Sequence, residues 1–207
     1  MSDPSEYYGG TAAAVKGNEC FAIASDLRHG ESYTTLNHHT SKSFLLTPHL
    51  AVCLVGFRPD IQKLIADMKN EIRIYELREH RRISGEIFAS RLSTYLYSFR
   101  TKGGLIVSAI VASFDPNQKQ VKIFSSDSIG AMEEEEKCSS IGFASENLGT
   151  ALTSLWKPNM SKIELEQAAA QAINGAIETV AFSGGKIEVI VVSEFEITKK
   201  VINCRAD

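Results

Sequence analysis

Two successive stretches in the middle of the chain are apolar on one side only, and they limit the available folds more than any other feature. In "RPDIQKLIADMKNEIRIYELREH", Ile61, Leu64, Ile65, Met68, Ile72 and Tyr75 recur at helical spacing, and Pro59 with Asp60 suits a helix start. Ser84 opens a second helix with Phe88, Leu92, Tyr95, Leu96 and Phe99 along one side. A helix with one apolar stripe must bury it against another layer.

Strand-forming runs on both sides supply that layer. "TAAAVK" and "CFAIASD" flank Gly17-Asn18, which predicts a hairpin with a primed turn whose positive φ falls on Gly17. "SFLLTPHLAVCLVG" gives two further strands split by Pro48. "GLIVSAIVASFD" and "KQVKIFSS" flank the turn signal Asp115-Pro116-Asn117. The last third returns to helix: Ser161 and Glu164 form a capping box ahead of a stripe of Leu165, Ala169, Ala172, Ile173, Ala176 and Val180. After Ser183-Gly184-Gly185, "KIEVIVVSEFEITKKVI" is strand-forming. This order predicts an α+β fold of two packed sheets with helices outside. With 207 residues, 43% of them apolar, and no repeats or linker, a single domain is expected.

A net charge of −3 and no basic stripe interleaved with aromatics argue against nucleic acid as a partner. Cys20, Cys53, Cys138 and Cys204 are scattered and form no C-x-x-C, so they read as buried thiols of a reduced compartment, cytosol or nucleus. The start "MSDPSEYY" has no basic n-region, and no apolar run approaches bilayer-spanning length, so neither secretion nor a membrane is expected. His38-His39 reads as a surface pair, because adjacent side chains in an extended segment face opposite ways and no third ligand lies at a metal-site spacing. Neither metal nor cofactor is expected. Glu133 to Glu136 reads as a solvated acidic loop, with a basic neighbour or substrate as its functional alternative. Trp156 in "SLWKPNM" reads as a core or interface anchor.

Candidate chemistry begins in "YYGGTAAAVKGNECFAIASD", Tyr7 to Asp26. A hydroxyl residue near an N-terminus becomes a nucleophile when the preceding peptide bond is cut and the freed α-amine acts as base. Thr11 is such a residue; without the cut it is only part of a strand.

The element order, together with "YYGG", "AIASDLRHG", "YELREHRRI", "SLWKPNM" and "FSGG", resembles the β subunits of the eukaryotic 20S proteasome core over essentially the whole chain, and a non-catalytic type among them. The resemblance implies a four-layer αββα sandwich of the N-terminal-nucleophile hydrolase type over residues 1–207, with 1–9 as a short N-terminal extension. Active members carry a threonine at the mature N-terminus, an aspartate sixteen residues later and a lysine thirty-two residues later. Counting back from Asp26 and from Lys42 lands on Gly10 both times, one residue short of Thr11. Side chains alternate along a strand, so this slip aims the Thr11 hydroxyl away from Lys42. The resemblance also places Phe143 of "IGFASENLG" where active members have the serine of a G-S-G turn, and Val180 where they have an aspartate three residues before Ser183. Neither side chain offers the hydrogen bond required there. Catalytic residues are therefore none: Gly10, Asp26, Lys42, Phe143, Val180 and Ser183 are degenerate equivalents, and Lys42 is a structural charge paired with Asp26. The alternative is an active threonine peptidase that uses Thr11 after autolysis, through an insertion in the hairpin.

The resemblance further implies partners: other β subunits in a hetero-heptameric ring, the α ring, the opposing β ring, and unfolded or ubiquitinated protein substrates. It also implies an indirect part in catalysis. In such rings the next subunit completes each specificity pocket, and the segment reaching across ends here in "FSSDSIG", where Asp127 matches an acidic position. The competing reading has Asp127 hydrogen-bonding its own turn.

Overall fold

The computed structural model describes residues 10–31 and 34–204; the extension at 1–9 lies outside them. The strand pair expected at the start is β1 (Thr11–Lys16) and β2 (Cys20–Asp26), followed by a small hairpin, β3 (His29–Glu31) with β4 (Thr34–Asn37). Then come β5 (Ser43–Thr47), β6 (Leu50–Gly56), α1 (Arg58–Glu79), α2 (Gly85–Phe99), β7 (Val107–Asp115), β8 (Gln120–Ser126), β9 (Met132–Glu135) and β10 (Cys138–Gly142). The chain closes with α3 (Ser145–Leu155), α4 (Lys162–Ile177), β11 (Lys186–Ser193) and β12 (Ile197–Asn203).

The long strands form two antiparallel sheets, ordered β10-β1-β2-β11-β12 and β5-β6-β7-β8-β9. Alternation along the strands builds four layers. On the first sheet Ala13 pairs with Ala24 and Ala24 with Val189, and all three pack under α3 and α4 with Leu148, Leu165 and Ile173. Ala14, Ile23 and Ile190 pair across the same strands but face the second sheet, meeting Ala51, Ile110 and Ile123. The opposite face of the second sheet, with Leu50, Val52 and Val111, is covered by Leu64 and Met68 of α1 and by Phe88, Leu92 and Leu96 of α2. This is the expected αββα sandwich, and the helix pair covers one sheet as its stripes require.

Both predicted caps are present. The Ser84 hydroxyl accepts the Ile87 N–H, and Ser161 forms a full capping box with Glu164. Two local expectations fail. The β1–β2 connection runs through Gly17, Asn18 and Glu19, and its left-handed residue is Glu19 (φ 52) rather than Gly17. Tertiary contact decides this turn: the Asn18 N–H donates to the Met160 carbonyl, and a Cβ on Gly17 would lie 3.0 Å from Leu165 Cδ2 and from the Met160 carbonyl oxygen. Glycine is needed there for closeness, which a dipeptide signal does not encode. The acidic run is also not a loop. Glu133, Glu134 and Glu135 lie on β9, the edge strand, where charge deters further pairing. Glu135 turns inward enough to accept the Ser125 hydroxyl at 2.7 Å.

Candidate functional site

The polar centre of the molecule lies where β1 starts and β2 ends. The Asp26 side chain is fully buried, yet its carboxylate is well supplied with donors: Oδ1 accepts the Thr11 N–H at 2.8 Å and lies 3.0 Å from Lys42 Nζ, and Oδ2 accepts the Gly184 N–H at 3.3 Å. Lys42, itself buried just ahead of β5, also donates to the carbonyls of Asp26 (2.9 Å) and Arg28 (2.8 Å). With Asp26 Oδ1, these acceptors occupy all three ammonium donors. Burial lowers the Lys42 pKa, and the Asp26 charge opposes that shift. The pairing of Lys42 with Asp26 expected from the sequence is present.

Gly10 sits directly against this lysine. A Cβ placed on Gly10 would lie 2.0 Å from Lys42 Cε and 2.9 Å from Nζ, and φ of +152° is a conformation side chains rarely adopt. The Lys42 chain thus fills the space that a side chain at residue 10 would need. Thr11 points elsewhere. By strand alternation it shares the helix-facing side with Ala13 and Val15. Its Oγ1 is 2.7 Å from Ser183 Oγ and accepts the Ala144 N–H at 3.2 Å. Its nitrogen is a peptide N–H engaged with Asp26, and a free amine would be needed for base catalysis.

The remaining sequence candidates divide into two groups. Ser183 joins the cluster through Thr11, and Phe143 joins through its backbone, its N–H donating to the Gly10 carbonyl at 3.1 Å. The Phe143 ring turns outward onto Phe182, 5.2 Å between centroids. Val180 packs against the α3–α4 core, and Asp127 is exposed in the loop after β8, where its Oδ1 accepts the N–H groups of Ile129 and Ala131 at 2.9 Å each. Among the flanking features, Trp156 is half-buried with its indole N–H on the Lys16 carbonyl (2.8 Å), and His38 and His39 are exposed. Among the described residues no group of acidic, histidine or cysteine side chains could hold a metal ion, and the four cysteines are free, with burial pushing Cys53 up to about 12.

Sequence reasoning missed two contributors. Arg28 is buried, donates to the Phe182 carbonyl (3.0 Å) and Thr35 Oγ1 (2.9 Å), and offers its own carbonyl to Lys42. Gly142 brings β10 so close to the site that a Cβ there would lie 2.0 Å from the Gly10 carbonyl oxygen. The glycine before Phe143 was a visible signal for the second; nothing in "SDLRHG" marks Arg28 as buried.

The family model described as proteasome subunit matches residues 6–192. The chain is 31% identical to the proteasome subunit beta type-3 of Trypanosoma brucei brucei, over 97% of this chain and 98% of that protein. It is 32% identical to the beta type-3 subunit of Caenorhabditis elegans over the same shares, and 30% identical to that of Saccharomyces cerevisiae over the full length of both. The match takes in all four helices, the strands from β1 to β11 and the Gly10–Asp26–Lys42 cluster, and the chain belongs to the proteasome subunit family.

Proposed function

We propose that this chain is a non-catalytic β subunit of the 20S proteasome core particle, of type 3 like its relatives, working in cytoplasm and nucleus as part of the wall around the chamber where unfolded and ubiquitinated proteins are cut. One observation carries the reading: the residue against which Lys42 is packed is glycine, and no nucleophilic atom is present there. Catalysis by this family's chemistry needs a hydroxyl, a free amine and a tuning lysine together. Here the hydroxyl of Thr11 is bonded to Ser183 and Ala144, and the lysine donors are saturated by Asp26 and Arg28. Membership of the family implies assembly with other proteasome subunits. The finer arrangement is part of the proposal: two neighbours in a hetero-heptameric ring, an α ring on one side and a second β ring on the other.

In the assembled particle an electrophile that labels N-terminal threonines should leave this subunit unmodified, and the mass of its N-terminus should not be that of a chain beginning at Thr11. Gly10→Thr does not rescue activity, because the new Cβ collides with Lys42 and Phe143 supplies no side-chain hydrogen bond. Covalent labelling of the single mutant, or a native chain starting at Thr11, refutes the reading. The indirect role rests on Asp127, whose Oδ1 is committed to its own loop. Its charge remains exposed and attracts a Lys or Arg of substrate in the adjoining subunit's pocket. Asp127→Asn then lowers cleavage after basic residues and leaves cleavage after apolar and acidic residues unchanged; a uniform change, or none, removes Asp127 from that pocket.

A further inference from the structure

Far from the Gly10 cluster in the chain, at the end of the second sheet, lies a cavity of about 330 Å³ between the α1–α2 connection, the β5–β6 turn and the β7–β8 turn. Its walls include His49, Arg81, Arg82, Asp115, Gln118 and Lys122. The charges there are unevenly satisfied. Lys122 is paired with Glu86, and Asp115 Oδ1 is taken by the N–H groups of Asn117 (2.8 Å) and Gln118 (3.3 Å). Arg81 and Arg82 form no ion pair among the described residues; Arg81 lies over the Tyr75 ring, 5.8 Å from its centroid, which orients the guanidinium and leaves its charge uncompensated.

At the cavity wall, His49 Nδ1 is buried with no hydrogen-bond partner, and the ring is held edge-on to Phe114, 6.0 Å between centroids. Burial first, then the Arg82 charge, holds the imidazole below its ordinary pKa, against the opposing pull of the Glu194 carboxylate. Two exposed guanidiniums without an ion pair, adjacent on one concavity whose carboxylates Glu86 and Asp115 are already engaged, fit a further carboxylate, which accepts from arginine in a forked geometry.

We propose that this cavity is a docking socket for an acidic side chain, Asp or Glu, projected by an extended segment of a neighbouring subunit, with Arg82 as its principal ion-pair partner. The proposal rests on the assembly role above. Its test uses the assembled particle, with a photo-activated benzoylphenylalanine at the exposed position Gln118. The expected result is one cross-linked subunit whose linked peptide carries Asp or Glu. Arg82→Glu lowers that cross-link, or incorporation of the chain, at least tenfold; Arg82→Lys keeps both within about threefold; and reversing the linked carboxylate to Arg restores the Arg82→Glu chain. No cross-link in intact particles, a linked peptide without a carboxylate, an Arg82→Glu chain that behaves as the parent, or failure of the reciprocal swap overturns the socket. Incorporation of the unmodified chain is read on the same native gel, so a chain that never enters the particle refutes the assembly role itself.

Discussion

The two halves of the sandwich are built from different side chains. Under α1 and α2 the core is large: Leu64, Met68, Phe88, Leu92 and Leu96. Under α3 and α4 it is richer in alanine: Ala13, Ala22 and Ala24 on the sheet face Ala168, Ala169, Ala172 and Ala176 on α4, between larger residues such as Leu148, Leu165 and Ile173. Small residues let the helix axis approach the sheet closely, which also brings the loop before α4 onto Gly17 and the α3 start onto Thr11. The small-residue half contributes Thr11, Asp26 and Ser183 to the polar cluster, whereas the helix-facing core of the large-residue half is apolar apart from the buried Tyr75 hydroxyl and Ser113 beneath Gly85. Close packing there fixes backbone N–H groups against a buried carboxylate; the other half has only to exclude water.

If that contrast is right, the costliest single change is to leave the cluster half-paired. Lys42→Met strips Asp26 of its cation while keeping it buried, and removal of one partner of such a pair costs about 3–5 kcal/mol. Denaturant unfolding of the isolated chain, followed by the fluorescence of its single tryptophan, Trp156, measures it. Adding Asp26→Asn to Lys42→Met should recover part of the loss; strict additivity would mean that the two side chains do not act as a pair.

The two cores should then fail in opposite directions. Leu64→Ala, in the large half, opens a cavity and costs about 2–5 kcal/mol. Ala172→Leu, in the small half, forces α4 away from β2 and costs about 1–3 kcal/mol by overpacking. Equal tolerance of an Ala→Leu enlargement under both helix pairs would erase the distinction.

How much of this was readable beforehand follows the same division. Stripes such as Ile61, Leu64, Met68 and Ile72 announce a covered sheet because period and size coincide, and all four are buried. The alanines of α4 gave the stripe without the closeness it permits, so the β1–β2 turn was assigned by its dipeptide while Met160 and Leu165 decided it. The short β3–β4 pair also went unread, since Thr34 to Asn37 are all exposed and show no alternation. In the cluster, the resemblance to active family members, counted back from Asp26 and Lys42, pointed to Gly10 as the residue beneath the lysine, but Arg28 reads as an ordinary surface arginine until the Phe182 carbonyl is seen above it.

The smallest effect separates the halves at their helix starts. Each serine accepts its capping N–H at 3.4 Å, Ser84 from Ile87 and Ser161 from Glu164, but Ser161 is also capped in return, its own N–H on Glu164 Oε2 at 2.8 Å. Either serine changed to alanine should cost about 0.5–2 kcal/mol at pH 7. Their pH dependence differs. Hydrogen bonds from the Ser161 N–H and hydroxyl hold the Glu164 carboxyl below its ordinary range, so its contribution is present above the unfolded pKa and fades as pH falls through the lower folded one. Part of that contribution runs through the Ser161 hydroxyl, 2.7 Å from Glu164 Oε2. The penalty of Ser161→Ala should therefore shrink as unfolding is measured from pH 7 toward pH 3, while that of Ser84→Ala, whose cap involves no carboxylate, stays level. Parallel penalties across that range would mean that the Glu164 arm of the capping box is not formed in solution, and that α2 and α4 start on equal terms.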